Sequence, residues 1–224
     1  MTGFWLRADD VLRRAPWTTQ SKRPWAATRD LLHCLVLFGL AYGAAMGTFG
    51  GFHGDRSWQV LYSALKVPLL LLTTFLISLP SFFVLSTLFG LRRDLGEAVR
   101  ALIAAQAGVA TILASLGPLT VLWYVSCADY QAAILFNAAM FAIASLAAQW
   151  LLRGYYRPLI ARNAKHRLLL RTWIVAYAFV GIQMGWILRP FVGSPTTPVQ
   201  FFREESWGNA YVVVANLVWR VLTQ

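Results

Sequence analysis

The sequence predicts an all-α polytopic transmembrane helical bundle, five or six spans led by an N-terminal interfacial amphipathic helix, and three observations carry that prediction. Five apolar runs reach about 20 residues, the length whose helical rise crosses a hydrocarbon core of about 30 Å. Apolar residues make up 58% of the chain and charged ones only 13%, whereas a soluble domain has about a quarter charged. The cations also alternate between connections. Sixteen of the twenty Lys and Arg lie in the N-terminal lead, the turns 92–100 and 153–171 and the C-terminal end, leaving Arg56, Lys66, Arg189 and Arg203 for the other side.

Insertion retains cationic loops in the cytoplasm, so the alternation predicts an integral membrane protein with a cytoplasmic N-terminus. The net charge of +11 is explained by these flanking loops and predicts contact with anionic lipids at the cytoplasmic face, not nucleic-acid binding.

The predicted spans are 31–52, 67–91, 101–125, 131–152 and 168–188. A sixth stretch, 209–222, is apolar but short and contains Asn216 and Arg220. It either crosses, which puts the C-terminus inside, or lies at the surface. The whole of 31–224 reads as one membrane-embedded helical domain, because the loops are too short to hold another.

Residues 1–30 form the cytoplasmic lead. Phe4, Trp5, Ala8, Val11, Leu12 and Ala15 recur at helical spacing opposite Arg7, Asp9, Asp10, Arg13 and Arg14, the pattern of an amphipathic helix on the inner leaflet. Trp17 and Trp25 extend that headgroup contact. Small residues at 41–45 follow an apolar run, as at a signal cleavage site, but the polar lead is long for a signal and the run continues past them. Cys34 and Cys127 are expected at opposite membrane faces, too far apart for a disulfide.

Small residues spaced four apart, Gly39, Gly43 and Gly47 in the first span and Gly181 and Gly185 in the fifth, permit close helix packing, either internal or in a homo-oligomer or membrane-protein complex. Pro68, Pro80 and Pro118 interrupt helices and permit kinks. Gln106, Asn137, Gln149 and Gln183 sit on different spans, where they either bond helices together or line a polar path. Fixed charges at membrane depth are absent from the predicted spans, which disfavours a proton-coupled pump.

No catalytic residue, metal site or cofactor is predicted. His33 and His53 fall at opposite ends of one span and His166 in a loop, so no pair would clamp a haem. There is no serine elbow, P-loop or metal-ligand spacing. Glu204 and Glu205 resemble the paired glutamates of intramembrane CAAX-type proteases, but Asn209 stands where that family has arginine and no histidine motif follows.

The stretch from Lys66 through Leu79-Pro80 and the stretch Gly181 to Pro195, with the later Phe-Phe-Arg and Gly208 to Tyr211 segments, resemble an uncharacterised family of bacterial polytopic membrane proteins over about residues 30–222. In order of spans, cytoplasmic amphipathic lead and basic turn, the chain is also similar to the Yip family of membrane-trafficking proteins. That resemblance implies five spans, a cytoplasmic N-terminus and membrane organisation through partner proteins. The acidic partner-binding motif of its eukaryotic members is not present, and no functional residue carries over.

Read without any family, Gly181 and Gly185 admit a close neighbour, and Arg189-Pro190 ends the fifth helix with a cation at the outer interface. Lys66 either snorkels there or pairs with Asp129, Glu204 or Glu205. An exposed site, if present, would be an outer polar cleft formed by Lys66, Asp129, Gln183, Arg189 and Glu205. Three functions follow: a non-enzymatic scaffold or assembly protein of the inner membrane, the permease subunit of an ABC-type exporter, and a lipid-acting membrane enzyme.

Overall fold

The structure is a computed structural model, and it describes residues 2–51, 54, 56–194, 198–202 and 211–212. The predicted sixth stretch, together with Asn216 and Arg220, lies outside the described residues except for Tyr211 and Val212. The described chain is all-helical, without strands. Its helices are α1 (Thr2–Leu12), α2 (Trp17–Gln20), α3 (Pro24–Gly47), α4 (Arg56–Leu88), α5 (Leu95–Ser126), α6 (Tyr130–Arg162) and α7 (Lys165–Ile187), with a 3₁₀ turn at Arg92–Asp94 between α4 and α5. Five of them, α3 to α7, are long and apolar enough to cross a membrane.

Each helix differs in extent from its apolar run for a local reason. Helix α3 starts early because Pro24 occupies the first helical turn, where its missing N–H costs nothing and its fixed φ is already helical. It stops at Gly47, and the chain then turns through Gly50 and Gly51 at φ +87° and +96°, a region that L side chains rarely adopt. Helix α4 begins at Arg56, well before the apolar run, and continues through Pro68 and Pro80. Helix α6 continues past Leu152 to Arg162 because Leu151, Leu152, Tyr155, Tyr156 and Leu159 keep an apolar face buried, while Arg153 and Arg157 point outward. Asp129 caps its start by accepting the Gln131 N–H at 3.0 Å, as N-cap carboxylates do.

Helix α3 is central, packed against α4 on one side and α5 on the other; α6 adds to α5, and α7 adds to α4. The lateral order is therefore α7, α4, α3, α5, α6. Helices α6 and α7 end the row and touch each other only sparsely, so the described helices form an arch that is open between them.

The α3–α4 seam is the tightest contact. A Cβ placed on Gly43 would overlap the Ser63 carbonyl oxygen and lie 2.7 Å from Ala64 Cα, and one on Gly47 would lie 2.5 Å from Val60 Cα. Gly39 meets the backbone of Pro68 at 3.2–3.3 Å. At Gly43 and Gly47 the nearest atoms are backbone and cannot swing aside, so only glycine allows the approach there, whereas at Gly39 a Cβ would require a shift of a few tenths of an ångström. On α7 the situation differs: a Cβ on Gly181 would make ordinary contact with Thr74 Cγ2 at 3.4 Å, and among the described residues nothing lies within 4 Å of one on Gly185.

The lead folds onto the bundle. Ala8 and Val11 of α1 are buried, against α3 and α5, and the Tyr155 hydroxyl of α6 donates to the Val11 carbonyl. Arg7 pairs with Asp30, Arg100 donates to the Thr19 carbonyl at 3.0 Å, and Arg14 lies over the Trp150 ring at 5.0 Å. Trp5 and Leu6 remain exposed.

Candidate functional site

Three polar assemblies organise the molecule, one at each end and one in the middle of the arch. At the end that carries the lead, Arg162 of α6 forks onto Glu97 at 2.8 and 3.0 Å and reaches Asp94 at 3.3 Å. Asp94 also meets the buried His166 Nε2 at 3.0 Å. This cluster ties the 3₁₀ turn to the α6–α7 turn and so fixes where α7 starts. Around it the side chains of Lys22, Arg23, Arg92, Arg93, Arg153, Arg157, Arg167 and Arg171 are exposed. One end of the bundle is thus a basic face.

At the opposite end the chain after α7 folds back as a strap. Val192 is buried and Phe191 packs on the core. Irregular backbone inside a bundle needs its carbonyl groups bonded, and three side chains supply those bonds. Lys66 Nζ donates to the Pro190 carbonyl at 2.6 Å, Ser63 donates to Phe191, and Tyr130 donates to Val192 at 3.4 Å. Gln59 in turn donates to Ser63 at 2.9 Å, and a Cβ on Gly193 would lie 2.6 Å from Gln59 Cγ. Next to the strap, the Tyr42 hydroxyl donates to Asn137 Oδ1 at 3.1 Å. The Asn137 amide donates to the Tyr124 hydroxyl and, at 2.7 Å, to the Ala133 carbonyl. Asn137 therefore joins α3, α5 and α6.

The third assembly lies in the arch. A cavity of about 380 Å³ is bounded by α4, α5, α6 and α7, with Leu70, Leu102, Val109, Trp173 and Ile182 among its walls. Its polar lining includes Gln106, Gln149, Thr74 and Tyr177. Tyr177 donates to Gln106 Oε1 at 2.9 Å, which fixes that amide and leaves its nitrogen turned from the tyrosine.

The structure distributes the five residues of the predicted outer cleft. Lys66 and the Arg189-Pro190 pair are brought together at the strap. Lys66 does not sit at the start of α4, which begins at Arg56; it is fully buried within the helix, with Phe201 4.9 Å beneath its ammonium. The Arg189 guanidinium lies 3.3 Å over the Trp186 ring. Asp129 is engaged as the α6 cap, and Gln183 lies on α7. Glu205 lies outside the described residues, as do Glu204, Arg203 and His53. Cys34 and Cys127 are free thiols.

The Asp94–His166–Arg162–Glu97 cluster and the central cavity were not anticipated. Asp94 and Glu97 are acidic residues inside an otherwise cationic turn, and that was the available signal for the cluster. Gln106 and Gln149 were visible as polar residues in apolar runs, but nothing in their spacing along the chain pairs them. Among the described residues, no group of three or more His, Cys, Asp and Glu could hold a metal ion. Comparison with protein-family models, curated proteins and solved structures gives no match.

Proposed function

We propose that the protein is an integral scaffold of a bacterial inner membrane, with its basic face and N-terminus in the cytoplasm, acting by helix packing and by contact with anionic lipid. The observation that carries this reading is the gathering of exposed Lys and Arg on one end of the arch, Arg92, Arg93, Arg157 and Arg167 among them, around a folded amphipathic lead. Each cation beside an anionic leaflet contributes about 1 kcal/mol of attraction. The exposed Trp5 and Leu6 beside them suit the headgroup boundary.

The lead then has two roles. Its buried side locks α3 and α5, and its exposed side meets lipid, so lipid composition is coupled to the packing of the bundle. A partner membrane protein, or a second copy, would use the flanks of α6 and α7, where Leu135, Leu146, Val175 and Phe179 are exposed.

The test is lipid retention by purified protein. The expected result is enrichment of anionic over zwitterionic lipid, lost in the triple variant Arg92→Glu, Arg93→Glu, Arg157→Glu, which alters exposed positions only. Equal lipid ratios for the two proteins would overturn the reading. The catalytic alternative is tested in the same preparation by lipid turnover, expected to be absent; turnover abolished by Asp129→Ala would replace the scaffold with an enzyme.

A further inference from the structure

Helix α1 ends at Leu12, and Arg14 follows it at φ +59°, a left-handed conformation that residues other than glycine, asparagine and aspartate seldom adopt. The turn carries the Arg14 guanidinium onto α6. There its Cζ lies 5.0 Å from the centre of the Trp150 ring, and a Cβ on Gly154 would overlap Arg14 Nη1 and lie 2.8 Å from Arg14 Cδ. Gly154 is thus the gap in α6 that the guanidinium fills.

A ring face engages a guanidinium through its charge and leaves the five N–H donors in its plane unused. Among the described residues none of those donors has an acceptor, because the acids near the lead are engaged elsewhere. Asp9 pairs with Arg13 at 2.7 Å, Asp10 accepts the Trp17 Nε1–H at 3.0 Å, and Asp30 pairs with Arg7. Helix α6 supplies no replacement, having no Asp or Glu along its length. What flanks Gly154 instead is Arg153 beside it and Arg157 one turn further on, both exposed. Three arginines are gathered around one turn without a counter-charge, and like charges at such spacing repel. The geometry calls for an anion.

The face of α6 that leads to this turn narrows its identity. Ile143, Leu146, Trp150, Gly154 and Arg157 recur at three- and four-residue spacing, so they form one stripe. Its first three members are apolar and exposed, Leu146 at 71% and Trp150 at 65%, and its last is a cation. On the membrane reading proposed above, on which this inference rests, Arg153 is the first charge after the apolar run of α6, so Trp150 stands at the inner boundary, where tryptophan rings and headgroups lie. A molecule with hydrocarbon at one end and phosphate oxygens at the other matches the stripe along its length, whereas a soluble anion would use only its last turn. Phosphate also suits the donors, since a guanidinium binds it through paired N–H bonds. A headgroup carrying its own amine cation is disfavoured beside three arginines.

We propose that Arg14, Arg153 and Arg157 hold the phosphate of one anionic phospholipid whose acyl chain runs along Trp150, Leu146 and Ile143. Because Arg14 belongs to the lead and the other two arginines to α6, the bound lipid ties the lead to that edge of the bundle.

The experiment uses the full chain in mild detergent, with binding of dioleoylphosphatidylglycerol and dioleoylphosphatidylcholine counted one lipid at a time by native mass spectrometry. The expected result is a first phosphatidylglycerol bound about tenfold more tightly than the first phosphatidylcholine, and a loss of about that size in Arg14→Asn, which tolerates the left-handed backbone but lacks the cation. Arg14→Lys should recover part of the loss, because it restores the charge without the fork. Gly154→Leu keeps every cation and displaces only the guanidinium, so it should weaken the first phosphatidylglycerol several-fold, an effect that general surface charge would not give. Arg13→Gln, which removes an equal charge one residue away, should stay within about twofold of the parent. If Gly154→Leu does not fold, the double variant Arg153→Gln, Arg157→Gln takes its place with the same expected loss. A parent that prefers phosphatidylglycerol but loses nothing in these variants would overturn this site alone, and so would displacement of the first lipid by inorganic phosphate, the mark of a soluble-anion site. A parent with no preference between the two lipids would overturn the basic-face reading as well.

Discussion

The seam between α3 and α4 and the flank between α6 and α7 are built on opposite rules. At the seam, Gly43 and Gly47 bring one backbone within direct contact of another, and no side chain larger than hydrogen fits. At the flank, among the described residues, Gly181 of α7 makes ordinary contact and Gly185 meets nothing, α6 and α7 barely meet, and a cavity remains. Small residues at the same spacing therefore mean different things. A glycine stripe becomes a packing seam only where a second backbone is delivered to it, and here α4 is delivered to α3 by the short connection between them. The closed side gives the bundle its shape, and the open side leaves a cavity of about 380 Å³.

Substitutions can break that contrast. The largest effect is expected from Gly43→Leu. The new side chain would collide with the Ser63 and Ala64 backbone, and overpacking of this kind costs about 1–3 kcal/mol or more. Thermal melting in mild detergent should show a large fall in Tm, whereas Gly185→Leu should stay within about 0.5 kcal/mol of the parent. Equal losses at the two sites would erase the distinction between seam and flank.

Next in size is Lys66→Met, which leaves the Pro190 carbonyl without its donor. An unsatisfied buried group costs about 1–3 kcal/mol, and the strap should become a preferred site for limited proteolysis after residue 188. Ser63→Ala, which removes the bond to Phe191, should act in the same direction at about 1 kcal/mol. The smallest effect is expected for Glu97→Gln. It weakens the bidentate contact of Arg162, whose side chain is 48% exposed, and such half-solvated pairs contribute about 0–1 kcal/mol. Melting at low and high salt checks this, because the difference between parent and variant should shrink as salt screens the pair.

These features were unequally legible in the sequence. The five long helices follow from unbroken apolarity and needed no tertiary information. Their ends did not: Arg153 to Arg162 is an amphipathic extension whose charged face interrupts an apolar run without interrupting a helix, and in Arg56 to Lys66 the polar Gln59, Ser63 and Lys66 face the protein while Trp58, Leu61 and Leu65 are exposed. The burial of Lys66 was hidden for the same reason. A lysine next to an apolar run reads as a boundary marker, and only the strap returning from α7 gives it a carbonyl to bond. The sequence offers Asp129 as a partner of Lys66, but its position before a helical run suits it to cap α6. The lead was legible as an amphipathic helix, but Ala8 and Val11 could have faced lipid or protein equally well, and that choice depends on the shape of the groove between α3 and α5. Gln106 and Tyr177 were separately visible, and their bond depends on the order of helices around the arch, which no local pattern encodes.

Labelling single cysteines in intact cells tests directly whether five helices cross a bilayer with the basic end inside. In a Cys34→Ala, Cys127→Ser background, Ala128→Cys should react with an impermeant maleimide before lysis, and Asn163→Cys only after the membrane is opened. The reverse order, or equal labelling of both positions in sealed cells, would contradict it.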